Sequence, residues 1–159
     1  MLLAVNNDQS RSRLRVACGV VTIIGVTLLA GCATHRGDGS ADVRVFVERF
    51  VQSVNASNTD DFVACFAPDA SAFFPSGATA ARRTGLDAIR KAVQPVFAQG
   101  PRNPPAQLKD LIITTTAEMA VASFDASDGA AHSRRTLVLQ RLAGEWKIVH
   151  LHASNVIEN

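Results

Sequence analysis

Tyrosine is absent from this chain of 159 residues, and tryptophan occurs only once. Without tyrosine, no active site of the chain can use a buried phenol to hold a developing oxyanion. Charged residues are also few, at 19%, whereas hydrophobic residues reach 47%. This balance is typical of a folded globular domain and excludes a disordered chain. The length leaves room for a single domain once a targeting segment is subtracted.

Cysteine is scarce as well, with three residues in the whole chain. Cys18 lies in an apolar N-terminal stretch and Cys32 lies directly after it, so Cys65 alone belongs to the body of the chain. One cysteine cannot form an internal disulfide. Cys65 lies beside Phe62 and Phe66 on the apolar side of a predicted helix, where we expect a small, buried hydrophobic side chain.

Positive charge is sparse in the body of the chain. The formal net charge is +2, but three arginines and one aspartate precede Cys32, so the remainder is close to neutral. Phosphate binding needs a clustered basic surface, and the pairs Arg82–Arg83 and Arg134–Arg135 are too short to form one. The composition therefore predicts that nucleic acid is not a partner.

The N-terminus has the pattern of a secretory signal. Arginines alternate between positions 11 and 15, and an uncharged apolar stretch follows from 16 to 30. This stretch is shorter than the roughly 20 residues that a membrane-spanning helix needs. It ends in Leu29-Ala30-Gly31-Cys32, which resembles a bacterial lipobox, where the cysteine thiol is diacylated and a peptidase cuts just before it.

We therefore predict a lipoprotein signal peptide over 1–31 and lipidation of Cys32, with palmitate among the acyl chains. Residues 32–40 are small and polar, which is typical of a flexible tether to a domain over 41–159. The predicted location is the cell envelope, where the domain is anchored to a membrane through the lipid and faces the periplasm or the exterior. The alternative is an uncleaved N-terminal anchor.

Apolar residues recur at helical spacing in the first part of the domain and predict three helices. Ser40 or Asp42 can cap the first helix, and Thr59 can cap the second. Pro95 should kink the third helix or end it early. The predicted bounds are 43–54, 59–67 and 85–98 for the helices and 70–74 for a short strand before the third helix.

Beyond a proline-rich loop, the period of the apolar residues changes to two. Four segments of strand length follow, and Ser127-Asp128-Gly129 and Ala143-Gly144 between them are good hairpin signals. Three helices followed by an antiparallel meander predict an α+β fold with the helices packed on one face of a curved sheet. The predicted strands are 108–117, 119–126, 134–142 and 146–155.

Three local motifs point to a family. They are Phe66-Ala-Pro-Asp-Ala70, Gly85-Leu-Asp-Ala-Ile-Arg90 and the more specific Gly144-Glu-Trp-Lys-Ile-Val-His-Leu-His-Ala-Ser154. They resemble the SnoaL-like branch of the nuclear transport factor two superfamily, which includes the association domain of calcium/calmodulin-dependent kinases. The resemblance covers 41–155. It implies a cone-shaped half-barrel with three N-terminal helices on a curved antiparallel sheet, a pocket between them, and homodimers formed through the outer sheet face.

The resemblance also implies which residues line the pocket. Similarity to the kinase domain turns Ala153 toward the pocket, and period-two alternation then places Val149 and Leu151 on the same face. Leu137 of the preceding strand joins them, because its position and that of Ala153 hold arginines in the kinase domain, where they help to bind an acidic ligand. Their absence here implies a more apolar pocket and a small, mostly apolar ligand.

Catalytic candidates are weak. Ketosteroid isomerase and scytalone dehydratase depend on tyrosines that this chain lacks, so a base would have to be Asp125, His150 or His152. The two histidines would also suit a metal pair with His132 or Asp125 as the third ligand. We favour hydrogen bonding of both histidines with Ser154 on the dimer side, and we predict no metal and no cofactor.

Three functional hypotheses follow. The leading one is a lipid-anchored, dimeric pocket protein that binds a small, mostly apolar molecule without catalysis. The second is an enzyme of the isomerase, cyclase or dehydratase type acting on a carbonyl compound, which requires a carboxylate or histidine deep in the pocket. The third is an assembly module displayed on the envelope, whose function is the dimer itself.

Overall fold

A computed structural model of the chain describes residues 39–75, 81–129 and 132–156. The predicted signal peptide over 1–31, the lipidation site Cys32 and most of the tether lie outside the described residues. Within the described ranges, every helix is too short or too polar to traverse a bilayer.

The three predicted helices are present as α1 (Ser40–Asn55), α2 (Thr59–Ala64) and α3 (Leu86–Phe97). The caps differ from the prediction by one residue. Gly39 and not Ser40 precedes α1, and Asn58 and not Thr59 caps α2. The Asn58 side chain accepts hydrogen bonds from the backbone N–H groups of Asp60 and Asp61, both at 3.1 Å. An asparagine suits this position because its short side chain reaches the unpaired N–H groups of the first turn.

Helix α3 continues through Pro95 to Phe97, so the predicted early end is wrong. Proline lacks one backbone N–H, and at this position the loss falls in the last turn, where few further helical bonds depend on it. The helix ends at Phe97 and is capped by Ala98, whose N–H bonds to the carbonyl of Gln94 at 2.9 Å. The predicted amphipathic stripe is retained, because Ile89 and Val93 are both buried.

The predicted meander is confirmed, and two shorter strands extend it into one curved six-stranded sheet ordered β2-β1-β6-β5-β4-β3. Strands β3 to β6 pair antiparallel in sequence order. Strand β1 joins the far edge parallel to β6, which a period-two pattern alone does not predict. The strands are β1 (Phe66–Phe73), β2 (Arg83–Thr84), β3 (Gln107–Thr115), β4 (Met119–Ser127), β5 (His132–Leu142) and β6 (Glu145–Val156).

The helices and the sheet meet in one apolar core. Phe62 of α2 lies at its centre, with ring centroids 5.3 Å from Phe50 of α1, 5.1 Å from Phe66 of β1 and 5.4 Å from Phe97 of α3. Burial of these rings removes much apolar area from water and so joins all three helices to the sheet. Cys65 is buried as predicted, at 1% exposure.

A β-bulge interrupts the last strand. Val138 pairs with His150, but the next residue of β5, Leu139, pairs with Ile148, so Val149 has no partner in the register. An extra residue reverses the alternation of side chains beyond it. Trp146 and Ile148 therefore share the buried face with Leu151 and Ala153, whereas strict alternation from Ala153 would turn the first pair to the opposite face.

Candidate functional site

A cavity of about 320 Å³ lies between the helices and the inward face of the sheet. Its walls are mostly apolar, and five phenylalanines contribute to them: Phe50, Phe62, Phe74, Phe97 and Phe124. The volume is near the lower end of the roughly 300–1,000 Å³ range of small-molecule sites. The position follows from the register, because inward side chains of β4, β5 and β6 meet helices α1 and α3 there.

One part of the cavity wall is polar and carries two arginines. Arg135 projects inward from β5, and Arg102 comes from the loop after α3. The Arg102 Nη1 atom lies 3.7 Å from Oδ2 of Asp128, which also lines the cavity. Ser133 and Asn155, which face each other across β5 and β6, add further polar groups. The prediction of an apolar pocket therefore fits most of the cavity wall and is wrong for the part that carries the two arginines.

The Arg135 guanidinium is held by the backbone. Its Nη1 donates to the carbonyl oxygen of Arg134 at 3.0 Å and to that of Ser154 at 3.3 Å. Desolvation by burial, with a smaller contribution from the positive charge of Arg102, lowers the pKa of Arg135 to about 10. The side chain stays protonated at neutral pH, so the cavity contains a fixed, desolvated cation.

The loop that carries Arg102 is fastened to the end of α1. The Asn55 side chain donates from Nδ2 to the Ala106 carbonyl and accepts from the Ala106 N–H, each at 2.9 Å. The Asn55 carbonyl accepts from the Arg102 N–H at 2.8 Å, and Ser57 Oγ donates to the Gly100 carbonyl at 2.6 Å. These four bonds fix the backbone on both sides of Arg102 and so position its side chain at the cavity.

The predicted pocket residues divide into two pairs. Leu151 and Ala153 line the cavity. Leu137 faces the same way but is fully buried in the core at 0% exposure, so it offers no surface to a ligand. Val149 is the extra residue of the bulge and does not line the cavity. The predictions for Leu137 and Val149 are therefore wrong, because dense packing covers one and the bulge displaces the other.

None of the three catalytic candidates lines the cavity. Asp125 lies between Phe124 and Ala126, which both do, so alternation turns Asp125 to the outer face of the sheet. There it pairs in register with Arg134 of β5. His150 and His152 also lie on the outer face, beyond the bulge. The hypothesis that Asp125 acts as a base inside the cavity is therefore wrong.

The two histidines form an outer-face cluster with Ser71, Phe73 and Arg82. Ser71 Oγ lies 2.8 Å from His150 Nδ1, so the expected hydrogen-bond partner, Ser154, is replaced by a residue of β1. The Phe73 ring centroid lies 5.9 Å from each imidazole, and Arg82 Cζ lies 5.3 Å from the Phe73 centroid. Burial is the main cause that lowers the pKa of His150, and the charges of His152 and then Arg82 lower it further.

Among the residues that the structure describes, no third metal ligand joins these histidines. His132 instead lies with Nε2 at 3.4 Å from Ser127 Oγ. Within 39–75, 81–129 and 132–156, no group of three His, Cys, Asp or Glu side chains is close enough to hold a metal ion.

Three charged residues that line the cavity were not predicted as site residues from the sequence: Arg102, Asp128 and Arg135. The signal for Arg135 was present, because it stands two positions before Leu137 on the same strand and therefore faces the same side. Arg102 and Asp128 lie in loops, where no periodicity indicates direction.

Helices on the concave face of a curved sheet, with a cavity between them, define the class of small α+β pocket proteins. The sequence profile of the SnoaL-like domain matches residues 43–158, and the chain belongs to this family. A search of curated proteins finds no match.

Solved structures share the fold at low identity. A nuclear transport factor two-like protein from Pseudomonas putida is 21% identical, covers 74% of this chain and 87% of that chain, and gives a TM-score of 0.64. A Streptomyces avermitilis protein of the same fold family, provisionally named a dehydratase, is 14% identical over 75% and 97%, with a TM-score of 0.63. A Xanthomonas campestris protein, provisionally named a calcium/calmodulin-dependent protein kinase II association domain, is 16% identical over 74% and 88%, with a TM-score of 0.59.

Proposed function

We propose that this protein binds a small, mostly apolar molecule in the cavity between its helices and its sheet, without transforming it. The observation that carries the proposal is the cavity itself, about 320 Å³ in volume, with walls that are mainly aromatic and aliphatic. Binding of an apolar molecule against such walls is favourable, because apolar walls hold little water by hydrogen bonds.

Native mass spectrometry of the protein purified from its own host tests the proposal. We expect a co-purified small molecule on the wild-type chain and its loss in Ala153→Phe, which fills the cavity from β6. His152→Phe is the matched control, because the neighbouring side chain lies on the outer face and is exposed. Retention of the bound mass by Ala153→Phe, or its absence from the wild type, would contradict the proposal.

The absence of catalysis is part of the proposal. It is supported by the position of Asp125, His150 and His152 on the opposite side of the sheet from the cavity. Asp128 is the carboxylate that lines the cavity within the described residues, and it is paired with Arg102. The name of the Streptomyces avermitilis relative favours the rival enzyme hypothesis. Conversion of the co-purified molecule by the wild type and not by Asp128→Asn would establish that rival.

The location at the cell envelope is also a proposal, supported by the lipobox-like residues before Cys32. We expect Cys32→Ser to abolish both the lipid mass and the recovery of the chain with membranes. Cys18→Ser is the control, since its thiol lies inside the apolar stretch and is not the predicted acceptor. Equal membrane recovery of both variants would indicate an uncleaved anchor.

Dimerisation through the outer sheet face completes the proposal, and the assembly hypothesis would make it the whole function. Three large apolar side chains are exposed on that face: Ile112 at 66%, Val121 at 43% and Met119 at 39%. Val121 and Met119 alternate with buried Ala120 and Ala122, which places them outward, and Ile112 is in register with Ser123 of the same outward set. Contiguous exposed apolar residues of this kind are typical of protein interfaces.

A further inference from the structure

The cavity holds a cation, Arg135, to which no carboxylate in the described part of the chain is paired. Within the described residues, no carboxylate forms an ion pair with Arg135, and its recorded bonds go to the carbonyls of Arg134 and Ser154. A desolvated charge without an opposite charge is unfavourable, and proteins seldom retain one unless something compensates for it. Because the side chain lines the cavity, the compensating group can come from a ligand.

The charge balance of the cavity fixes the charge of that ligand. Arg102 and Arg135 are cationic and Asp128 is anionic, so the lining residues that the structure describes leave one positive charge in excess. Arg102 and Asp128 already face each other at 3.7 Å, which leaves Arg135 as the unmatched group. A single negative charge restores neutrality, whereas a dianion would bring a second desolvated charge without a partner.

The shape of the cavity indicates the rest of the molecule. Phe50, Phe62, Phe97 and Phe124 line the walls, so the body of the ligand must be apolar, and heavily hydroxylated compounds would lose their hydration without compensation. A guanidinium presents parallel N–H donors that match the two oxygens of a carboxylate. Ser133 and Asn155, which also line the cavity, offer further polar contacts.

From these observations we infer that the ligand is an amphipathic monocarboxylate, with its carboxylate on Arg135 and its apolar body against the phenylalanine wall. The inference rests on the proposed binding function and adds the chemical class of the ligand and the residue that recognises it. Arg135 occupies a different position from Leu137 and Ala153, the positions that hold arginines in the kinase association domain.

Calorimetric titration with two probes of the same shape tests the inference. The probes are 4-phenylbutyrate and 4-phenylbutan-1-ol, titrated into the full lipidated protein in nanodiscs, with empty nanodiscs as the background. We expect the carboxylate to bind the wild type at least tenfold more tightly than the alcohol, since one charge-assisted contact is worth about that factor. In Arg135→Met, that preference should disappear while the alcohol still binds.

Arg134→Met is the matched control, because the neighbouring arginine is exposed on the outer face, in register with Asp125. We expect it to keep the full preference for the carboxylate. Equal binding of both probes to the wild type, or an unchanged preference in Arg135→Met, would overturn the inference and leave the proposed function intact. Binding of neither probe would count against both.

Asp128→Asn provides a second test that does not depend on how Arg135→Met folds. Removal of the Asp128 charge makes the cavity more positive, so the preference for the carboxylate over the alcohol should rise at least threefold. A preference that stays constant or falls would overturn the inference, because it would show that the charge of the cavity does not act on the ligand.

Discussion

The two faces of the sheet differ more in chemistry than their shared strands suggest. On β5, Arg134 is exposed on the outer face and Arg135 lines the cavity. Further along the same strand, Leu137 is fully buried and its neighbour Val138 faces outward. The outer face carries the histidines and Asp125, which are the residue types expected in an active site. The inner face carries apolar side chains and the arginines. Residue type alone therefore misleads, and the direction in which each strand residue points decides its role.

The bulge at Val149 sets this division on β6. It places Trp146 and Ile148 in the core together with Leu151 and Ala153, although Leu151 follows Ile148 by an odd number of positions, which strict alternation would put on opposite faces. It also turns His150 and His152 outward. A single inserted residue thus determines which side chains reach the cavity.

Deletion of Val149 should have the largest effect on the difference between the faces. Without the extra residue, either Trp146 and Ile148 or Leu151 and Ala153 must turn outward, and the loss of their burial should cost at least about 4 kcal/mol. Urea denaturation, followed by the fluorescence of Trp146, measures this loss. Val149→Ala is the control, since it keeps the register and should cost roughly 1 kcal/mol. Similar stabilities of the two variants would contradict the assigned role of the bulge.

Neighbouring substitutions on β5 compare the faces directly. Leu137→Ala removes a side chain that is 0% exposed and should lower the free energy of unfolding by about 2–5 kcal/mol. Val138→Ala, on the outer face, should lower it by about 1 kcal/mol or less. Urea denaturation of both variants gives the two values. A larger loss for Val138→Ala would mean that the faces are reversed.

Val121→Asp tests whether the outer face is the dimer interface. Charge at the centre of the exposed apolar residues should weaken the dimer at least tenfold, as measured by sedimentation equilibrium of the lipidated protein in detergent. The control is Val45→Asp, because Val45 is similarly apolar and 65% exposed but lies on α1. Equal weakening by both variants, or no dimer in the wild type, would remove the outer face as the interface.

The smallest expected effect concerns pH. The pKa of His150 is lowered below 6.5, chiefly by burial, so the unfolded chain binds this proton more readily than the folded one. Its contribution to stability is therefore complete above pH 6.5 and is lost as the pH falls through the lowered pKa. His150→Gln should reduce the decline in unfolding free energy between about pH 7 and pH 5. His132→Gln should leave that decline in place, and a steeper decline in His150→Gln would contradict the sign.

Most of the fold could be predicted from the sequence because its periodicity changes from helical to alternating at one loop. The caps at Gly39 and Asn58 differ from the predicted ones by a single residue. The parallel pairing of β1 with β6 was not predictable, since it depends on contacts between residues far apart in the chain. The bulge at Val149 was hidden for a similar reason, because a bulge has no composition of its own when the extra residue is an ordinary valine.

The site was less accessible to prediction than the fold. Leu151 and Ala153, which the resemblance and alternation predicted on the pocket face, both line the cavity. Arg135 could have been found by continuing the same alternation from Leu137. Arg102 could not have been found, since the bonds of Asn55 that hold its loop join residues about fifty positions apart.

The central claim is that small molecules enter the hollow on the inner face. Methyl NMR spectra of the lipidated protein in nanodiscs, recorded with and without saturating 4-phenylbutyrate, test it most directly. The claim predicts shifts at the methyl groups of Leu151 and Ala153, with those of Val121 and Val138 unmoved. Shifts confined to the outer pair, or no shift at any of the four, would contradict it.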